Sequence, residues 1–452
     1  MCGLREESTA RGLRGEKLLK FFISNFTLIS MVELNFKAGD FVKFRLAREE
    51  IEARVLESSD SRVVLVKLNS GYNIGIPKEN ILDCVVVEKF KDAKKENVVP
   101  VSKGKPSIGL IVTGGTIASK LDSRTGGTAP LTDVSEFAKF YPRLFERVNV
   151  KKLSVPFMIA SESMSSEHWI TIAEHAKEML NDSEIRGVII THGSDTLHYT
   201  ASALSFFLRD LKKPVVLTFS QRSIDRASSD AELNLDCAVT MALSNCAEVM
   251  IVGHANENDD YCFALRGTKV RKMHSSRRDT FKPINCSPLA KVWPDKIEFL
   301  EKYNARSEGL TKLDSSFNDK VALVYFYPGQ DPSILDYYLV QGYRGIVIAM
   351  SGLGHVAIED VNYFWESALK RAIKNGMVVC ASAQTIYGRL NPKVYSTGRM
   401  LDEMGIIYLE DMLAETAFVK LGFVLGHKNW KSLVREKMLE NFNGEFNSLL
   451  SE

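Results

Sequence analysis

Two strand ends in this chain place hydroxyl groups beside glycines. The first is "GLIVTGGTIAS" at 109–119, where an apolar run stops on Thr113-Gly114-Gly115-Thr116. Glycines let a backbone turn sharply and approach a ligand closely, and the threonine that follows presents its hydroxyl at the mouth of a sheet, a place for a nucleophile. The second is "RGVIITHGSDTLHYTASAL" at 186–204, in which a strand runs into His192-Gly193-Ser194-Asp195-Thr196 before a helical pattern. Asp195 or Thr196 suits the N-cap of that helix, and Ser194 stands beside a carboxylate. Strand ends of one sheet converge on one crevice. A third stretch, "RGTKVRKMHSSRRDTFKPIN" at 266–285, is basic. It reads either as a solvated loop or as the source of a lysine that reaches the crevice and activates a hydroxyl.

The elements that must position these groups follow from periodicity. From Phe36 to about residue 88, "GDFVKFRL", "EARVLESS", "RVVLVKLN" and "YNIGIP" alternate apolar and polar residues between turn-forming residues. This predicts a small antiparallel β-barrel domain at 36–88. No aromatic stacking platform for nucleic acid is visible there, so the segment reads as a packing or docking module. The charged run at 89–106 ends in Gly and Pro and reads as a linker. From Ser107 onward, near-continuous apolar strands ("IGLIVT", "RGVIITH", "PVVLTFS", "EVMIVGH") alternate with helical patterns at 165–181, 195–211 and 227–245. That is the pattern of a parallel sheet covered on both faces. A second α/β set follows, with "KVALVYFYP", "RGIVIAMSG", "MVVCASA" and "GIIYLE" and helical patterns at 359–375, 411–425 and 428–440. The two α/β domains are expected at 107–312 and 318–452, with a boundary at "KLDSSFND" (312–319).

With 452 residues the chain exceeds a single core, and its 45% hydrophobic and 25% charged composition is that of a globular protein. A net charge of +2 excludes a strong general field for nucleic acid. Seven scattered cysteines without a C-x-x-C pair fit reduced thiols in a cytoplasm rather than disulfides or a zinc site. No segment is long and apolar enough to span a membrane. Residues 1–35 are basic and then broken-apolar. They read as a disordered extension or an upstream mis-start, with Met31 an alternative beginning.

Taken together, "TGGTIAS" (113–119), "THGSDTLHYTASALSF" (191–206) and "IASESMSSEHWITIAEHAK" (159–177) resemble the signatures of the bacterial-type L-asparaginase and glutaminase family. "RKMHSSRRDTFKPIN" (271–285), "SGLGHV" (351–356) and "STGR…EDMLAETAFVKL" (396–421), with the small β domain, are similar to one branch of it: the D subunits of archaeal glutamyl-tRNA(Gln) amidotransferases. The resemblance covers residues 36 to about 440. It implies an asparaginase-like parallel-sheet core of two α/β domains behind the β-barrel domain. It also implies that Thr116 is the nucleophile, that Ser194, Asp195 and Lys272 form a relay, and that Ser161 and Glu162 hold the substrate's α-carboxylate and α-amino groups. A zwitterionic amino acid needs such a site. Gly115 and Gly193 allow backbone N–H groups to meet a developing oxyanion. The glycine turn at 351–356 implies contact between His355 and substrate across a homodimer interface, while His192 is structural. The chain departs from the family in Ser194, where threonine is usual, and in a flap at 119–132 that lacks tyrosine and carries Ser123. Ala414 stands where the branch often has proline.

The resemblance implies a subunit that hydrolyses glutamine to glutamate and ammonia. A kinase/transamidase partner subunit would use the ammonia, with ATP and Mg, to convert Glu-tRNA(Gln) to Gln-tRNA(Gln), in an α2β2 complex that contacts tRNA(Gln) mainly through the partner. No G-x-x-x-x-G-K-[ST] motif or trusted metal-ligand spacing is present in this chain, so neither ATP nor a metal is expected in it. Arg277 and Arg278 are assigned to association or tRNA coupling. The competing readings are a stand-alone cytoplasmic L-asparaginase and a docking subunit with a decayed site.

Overall fold

The computed structural model describes residues 34–58, 60–70, 72–89, 104–121, 128–130, 134–224, 226, 228–358 and 364–448. The expectations for residues 1–33, for most of the linker and for the flap around Ser123 lie outside the described residues. The chain divides into two compact units, each taken by itself.

The first unit is an antiparallel sheet of β1 (Phe41–Arg45), β2 (Glu50–Val55), β3 (Val63–Leu68), β4 (Asn73–Pro77) and β5 (Asp83–Glu88), in the order β4-β3-β2-β1-β5. Alternation places Val42, Phe44, Ala53, Val55, Val64, Val66 and Ile76 on one buried face. The fifth strand is additional to the four outlined by the sequence. Three consecutive valines, Val85 to Val87, hide the period there: Val85 and Val87 are exposed and Val86 turns inward.

The second unit contains β6 (Ser107–Val112), β7 (Ser119–Leu121), β8 (Thr128–Pro130), β9 (Asn149–Ser154), β10 (Ile185–Thr191), β11 (Leu208–Arg209), β12 (Val215–Thr218), β13 (Val249–His254), β14 (Cys262–Arg266), β15 (Val270–Lys272), β16 (Phe281–Pro283), β17 (Ala290–Val292), β18 (Ile297–Phe299), β19 (Lys312–Leu313), β20 (Val321–Tyr325), β21 (Gly345–Met350), β22 (Val378–Ala383) and β23 (Ile407–Tyr408). The main sheet runs β18-β17-β14-β13-β12-β10-β6-β9. Strands β13, β12, β10 and β6 are parallel, as their continuous apolar runs predict, and β9, whose sequence NVKKLS shows no such run, adds a fifth parallel strand. Successive residues of β6 feed opposite cores. Ile111 joins the cluster under the helices Ser166–Leu180 and Leu197–Phe207, whereas Leu110 and Val112 join the one under the helix Ala231–Leu243. Strands β14, β17 and β18 extend this sheet antiparallel. The sequence carries little signal for this extension, because β17 and β18 have only three residues each.

The second α/β part is a parallel sheet, β20-β21-β22-β23. Its helices Ile334–Val340 and Trp365–Lys374 cover one face. The helix Ala414–Gly426 covers the other and packs against the helix Leu197–Phe207 of the first part, so Phe206, Val347, Leu421 and Phe423 share one core. The expected boundary at 312–319 therefore marks a change of sheet but not a break in the apolar core.

Three helical expectations need correction. The pattern at 195–211 gives a helix only over Leu197–Phe207, after which β11 pairs with β19. The pattern at 428–440 splits into a single 3-10 turn, Lys428–Trp430, and a short helix, Val434–Leu439. In the pattern at 359–375 the described helix is Trp365–Lys374. The basic stretch at 266–285 is not a plain solvated loop: β15 and β16 pair as a hairpin, and Lys269 is buried at its entrance.

Lys269 Nζ meets Asp411 Oδ2 at 2.5 Å with both side chains out of water, tying this hairpin to the second α/β part. Removing one partner of a buried ion pair strands the other charge. Lys269→Met should therefore cost about 3–5 kcal/mol of unfolding free energy, read from urea denaturation. A loss comparable to that of an exposed lysine variant would contradict this placement.

Candidate active site

The site is built where β6 and β10, neighbours in the sheet, end side by side. Gly114 and Gly115 leave β6 with φ of +123° and +80°, conformations that an L side chain resists. A Cβ at Gly115 would lie 2.5 Å from the Cα and backbone N of Gly193. The two strand ends thus touch backbone to backbone. The third motif joins them. A Cβ at Gly114 would lie 2.4 Å from the carbonyl oxygen of Ile159, and one at Gly193 would lie 2.9 Å from Ser161 Oγ. The Thr113 hydroxyl donates to the Thr191 carbonyl at 2.9 Å and locks the two ends.

Thr116 opens a 3-10 turn, Thr116–Ala118, one residue beyond the glycine contact and partly exposed. Behind it the buried Tyr141 phenol donates to the Ile117 carbonyl at 2.6 Å, and burial raises the pKa of that phenol and keeps it protonated. Ser194 stands one residue beyond the same contact on the other side. Lys272 Nζ, on β15, donates to Ser194 Oγ at 2.9 Å and to Asp195 Oδ1 at 2.6 Å. The lysine side chain is 10% exposed and that of Asp195 64%. Hydroxyl, carboxylate and ammonium thus share one cluster, an arrangement able to pass a proton.

Asp195 does not cap the following helix. Thr196 occupies the N-cap position, but its hydroxyl donates to the Ser161 carbonyl at 2.6 Å and its N–H to Ser161 Oγ at 3.3 Å. Ser161 is therefore buried and fixed against the second motif, while Glu162 beside it is exposed. His355 lies apart from this cluster within one chain. Its Nδ1 meets the Thr397 hydroxyl at 3.2 Å, and its ring packs edge-on to Tyr395 at 5.3 Å. Arg278 uses its guanidinium inside the chain, on Asp259 and on the carbonyls of Glu257 and Ser228, and Arg277 pairs with Asp279. Both arginines therefore brace the segment around β16.

Sequence reasoning missed the neighbours of Lys272 on the other side. A cavity of about 460 Å³ is lined by Asp195, His198, Tyr199, Arg271, Lys272 and Glu415 among others. Arg271 Nε meets Glu415 Oε1 at 3.0 Å, and the Tyr325 hydroxyl lies 3.4 Å from each partner. Arg271 and Glu415 both lie in segments that resemble the amidotransferase branch, 271–285 and 396–421, but nothing in the sequence paired them. A second cavity, of about 530 Å³, is lined by Arg209, Arg266 and Phe442 among others and by none of Thr116, Ser161, Ser194, Asp195 and Lys272. Among the described residues no group of three His, Cys, Asp or Glu side chains could hold a metal ion.

His192 is fully buried. Its Nδ1 donates to the Gly193 carbonyl at 2.7 Å, and its Nε2 accepts from the Thr200 hydroxyl at 2.9 Å. Burial depresses its pKa from 6.5 to about 4, and that of His198, next to the Arg271 and Lys272 charges, to about 3. The imidazole of His192 is a neutral brace. The unfolded chain takes up protons near pH 6.5 that the folded chain refuses until about pH 4. Between those values the unfolded state binds more protons, so stability falls as pH is lowered through that window. The urea midpoint should therefore drop between about pH 7 and about pH 5, and His192→Gln should flatten that slope. An unchanged slope in the variant would remove His192 as its source.

The matches to known proteins cover most of the chain. Residues 36–87 match the family model described as "GatD N-terminal domain", 107–305 that of "Asparaginase, N-terminal", and 320–438 that of "Glutaminase/Asparaginase C-terminal domain". The chain is 48% identical over 421 residues to the D subunit of the glutamyl-tRNA(Gln) amidotransferase of Thermococcus kodakarensis, spanning 90% of this chain and 94% of that one. It is 41% identical over 448 residues to the corresponding D subunit of Sulfurisphaera tokodaii, spanning 96% and 95%. Among solved structures, the thermostable L-asparaginase from Thermococcus kodakarensis superposes with a TM-score of 0.67 at 28% identity, covering 76% of this chain and 99% of that one. L-asparaginase I from Vibrio cholerae superposes with a TM-score of 0.63 at 25% identity, covering 76% and 100%.

Proposed function

The chain belongs to the family of glutamyl-tRNA(Gln) amidotransferase D subunits, and on that premise we propose that it is the glutaminase subunit of a tRNA-dependent amidotransferase. It hydrolyses the side-chain amide of glutamine and supplies the ammonia for converting Glu-tRNA(Gln) to Gln-tRNA(Gln). The observation that carries the chemistry is the Lys272–Ser194–Asp195 cluster beside the contact of the two glycine turns.

In this reading Thr116 Oγ1 attacks the amide carbon. Backbone N–H groups of the turns around Gly115 and Gly193 stabilise the oxyanion. The proton lost by Thr116 reaches the departing nitrogen through the Lys272 cluster, ammonia leaves, and an acyl-threonine ester remains. Water then attacks the ester, glutamate departs, and the hydroxyl is restored. Ser161, Glu162 and Asp195 hold the α-carboxylate and α-ammonium of glutamine. His355 completes the site of the neighbouring subunit across a homodimer. ATP and Mg belong to a kinase/transamidase partner subunit in an α2β2 assembly in the cytoplasm, and that partner makes most tRNA(Gln) contacts. Among the described residues no helix is long and apolar enough to cross a membrane.

Thr116→Ala should lower ammonia release from glutamine by a factor on the order of 10⁴, and Lys272→Met by roughly 10²–10⁴, with circular dichroism unchanged. Arg277→Met, whose guanidinium pairs with Asp279 and not with the cluster, should stay near the wild-type rate. Near wild-type hydrolysis by Thr116→Ala would remove it as the nucleophile.

A stand-alone L-asparaginase would not need the N-terminal sheet. Strand β5 lies at the edge of that sheet and exposes Val85 and Val87 among the described residues, which supports docking. Deleting residues 1–100 should leave a soluble chain with basal glutaminase activity and abolish transamidation in the reconstituted complex. Aggregation would point to a shielding role instead, and full transamidation by the truncated chain would exclude docking.

A further inference from the structure

Lys272 is the one member of the proposed relay that does not come from the main sheet. It ends β15, a three-residue strand whose partner is β16. Two-stranded hairpins are marginally stable by themselves, so contacts to the rest of the molecule must set where this lysine points. Alternate residues of an extended strand face opposite ways. Lys269 and Arg271 share one side of the segment, Val270 and Lys272 the other. The first side is bonded throughout to residues 411–416 of the second α/β part. Lys269 pairs with Asp411, Arg271 with Glu415, and the Thr416 hydroxyl donates to the Thr268 carbonyl at 3.0 Å. Glu415 lies in the first turn of the helix Ala414–Gly426, where the helix dipole favours a carboxylate. Its side chain is 6% exposed, and its second oxygen has no hydrogen bond among the described residues. Arg271 is thus its principal countercharge.

We propose that Arg271 and Glu415 are positioning residues: their ion pair fixes β15 so that the next residue, Lys272, is held on Ser194 and Asp195. The second α/β part thereby aligns a relay whose other members all belong to the first part. This rests on the glutaminase reading above for its kinetic consequence, but the geometric claim stands separately. A merely structural pair would change the melting temperature and leave the lysine as it was. A positioning pair must change the lysine itself.

The test uses the full chain with Arg271→Met, Arg271→Lys, Glu415→Gln and the double variant Arg271→Met/Glu415→Gln. Arg271→Lys and Glu415→Gln keep size or charge, so at least these should fold. Two readouts are taken. In the first, kcat for glutamine hydrolysis should fall roughly 10- to 100-fold in Arg271→Met and Glu415→Gln, with KM within about twofold of wild type. The double variant should be no worse than the worse single variant, because both act through one pair, and Arg271→Lys should recover part of the loss. In the second, acylation of Lys272 by acetic anhydride, quantified by peptide mass spectrometry, should rise several-fold in the variants while labelling of Lys43 stays constant. Wild-type kcat together with wild-type Lys272 labelling in the variants would overturn the proposal. So would a loss confined to the melting temperature. If the wild-type chain hydrolyses no glutamine, alone or with its partner, the functional reading falls, and the labelling result still decides the positioning claim.

Discussion

The contact between Gly115 and Gly193 sets the scale of everything around it. Neighbouring parallel strands are spaced about 4.8 Å apart, and the loops that leave them normally diverge because their side chains need room. Here a single Cβ on Gly115 would fall 2.5 Å from backbone atoms of Gly193, and one on Gly193 would press on Ser161. Removing those side chains draws three chain segments together just past the sheet edge. Thr116 and Ser194 are each the next residue along, so the glycine contact brings two hydroxyl-bearing residues near one another in the fold. Pre-organised backbone of this kind presents N–H groups where charge develops and needs no rearrangement at the moment of reaction.

Charge is distributed unevenly around that contact, and the magnitudes explain the division of labour. The Lys272–Asp195 pair is short, but its carboxylate is largely in water, and exposed pairs contribute about 0–1 kcal/mol. Such a pair cannot hold a strand in place. It suits a group that must exchange partners during a reaction. The Lys269–Asp411 and Arg271–Glu415 pairs differ, because their carboxylates are removed from solvent, and breaking them is costly. Rigid pairs behind the hairpin and a labile pair in front of it fit the proposed proton relay.

The asparaginase-like architecture hosts this site without determining what the product is used for. The solved asparaginases that superpose on this chain cover about three quarters of it. The antiparallel sheet at its N-terminus belongs to a separate compact unit.

Much of the fold was legible in the sequence because its signals are local. Continuous apolar runs specified β6, β10, β12, β13, β21 and β22, since a strand buried on both faces has no polar face to show. Glycines flanked by hydroxyl residues marked the strand ends, since only glycine tolerates φ of +123° or so close a backbone contact. Thr116, Ser194 and Asp195 lie in those motifs, and the family resemblance added Lys272 from the basic stretch. What the sequence could not decide depends on partners far apart along the chain. Asp195 and Thr196 both read as possible helix caps, and the structure gives the N-cap position to Thr196 while Asp195 pairs with Lys272, 77 residues away. The partners of Arg277 and Arg278, namely Asp279, Asp259 and nearby carbonyls, had no signal in the sequence. Glu415 lies 144 positions beyond Arg271 in the chain, and no periodicity links the two. Local backbone preference and burial patterns are written residue by residue, whereas the pairing of charges distant in the chain is settled only when the elements that carry them pack together.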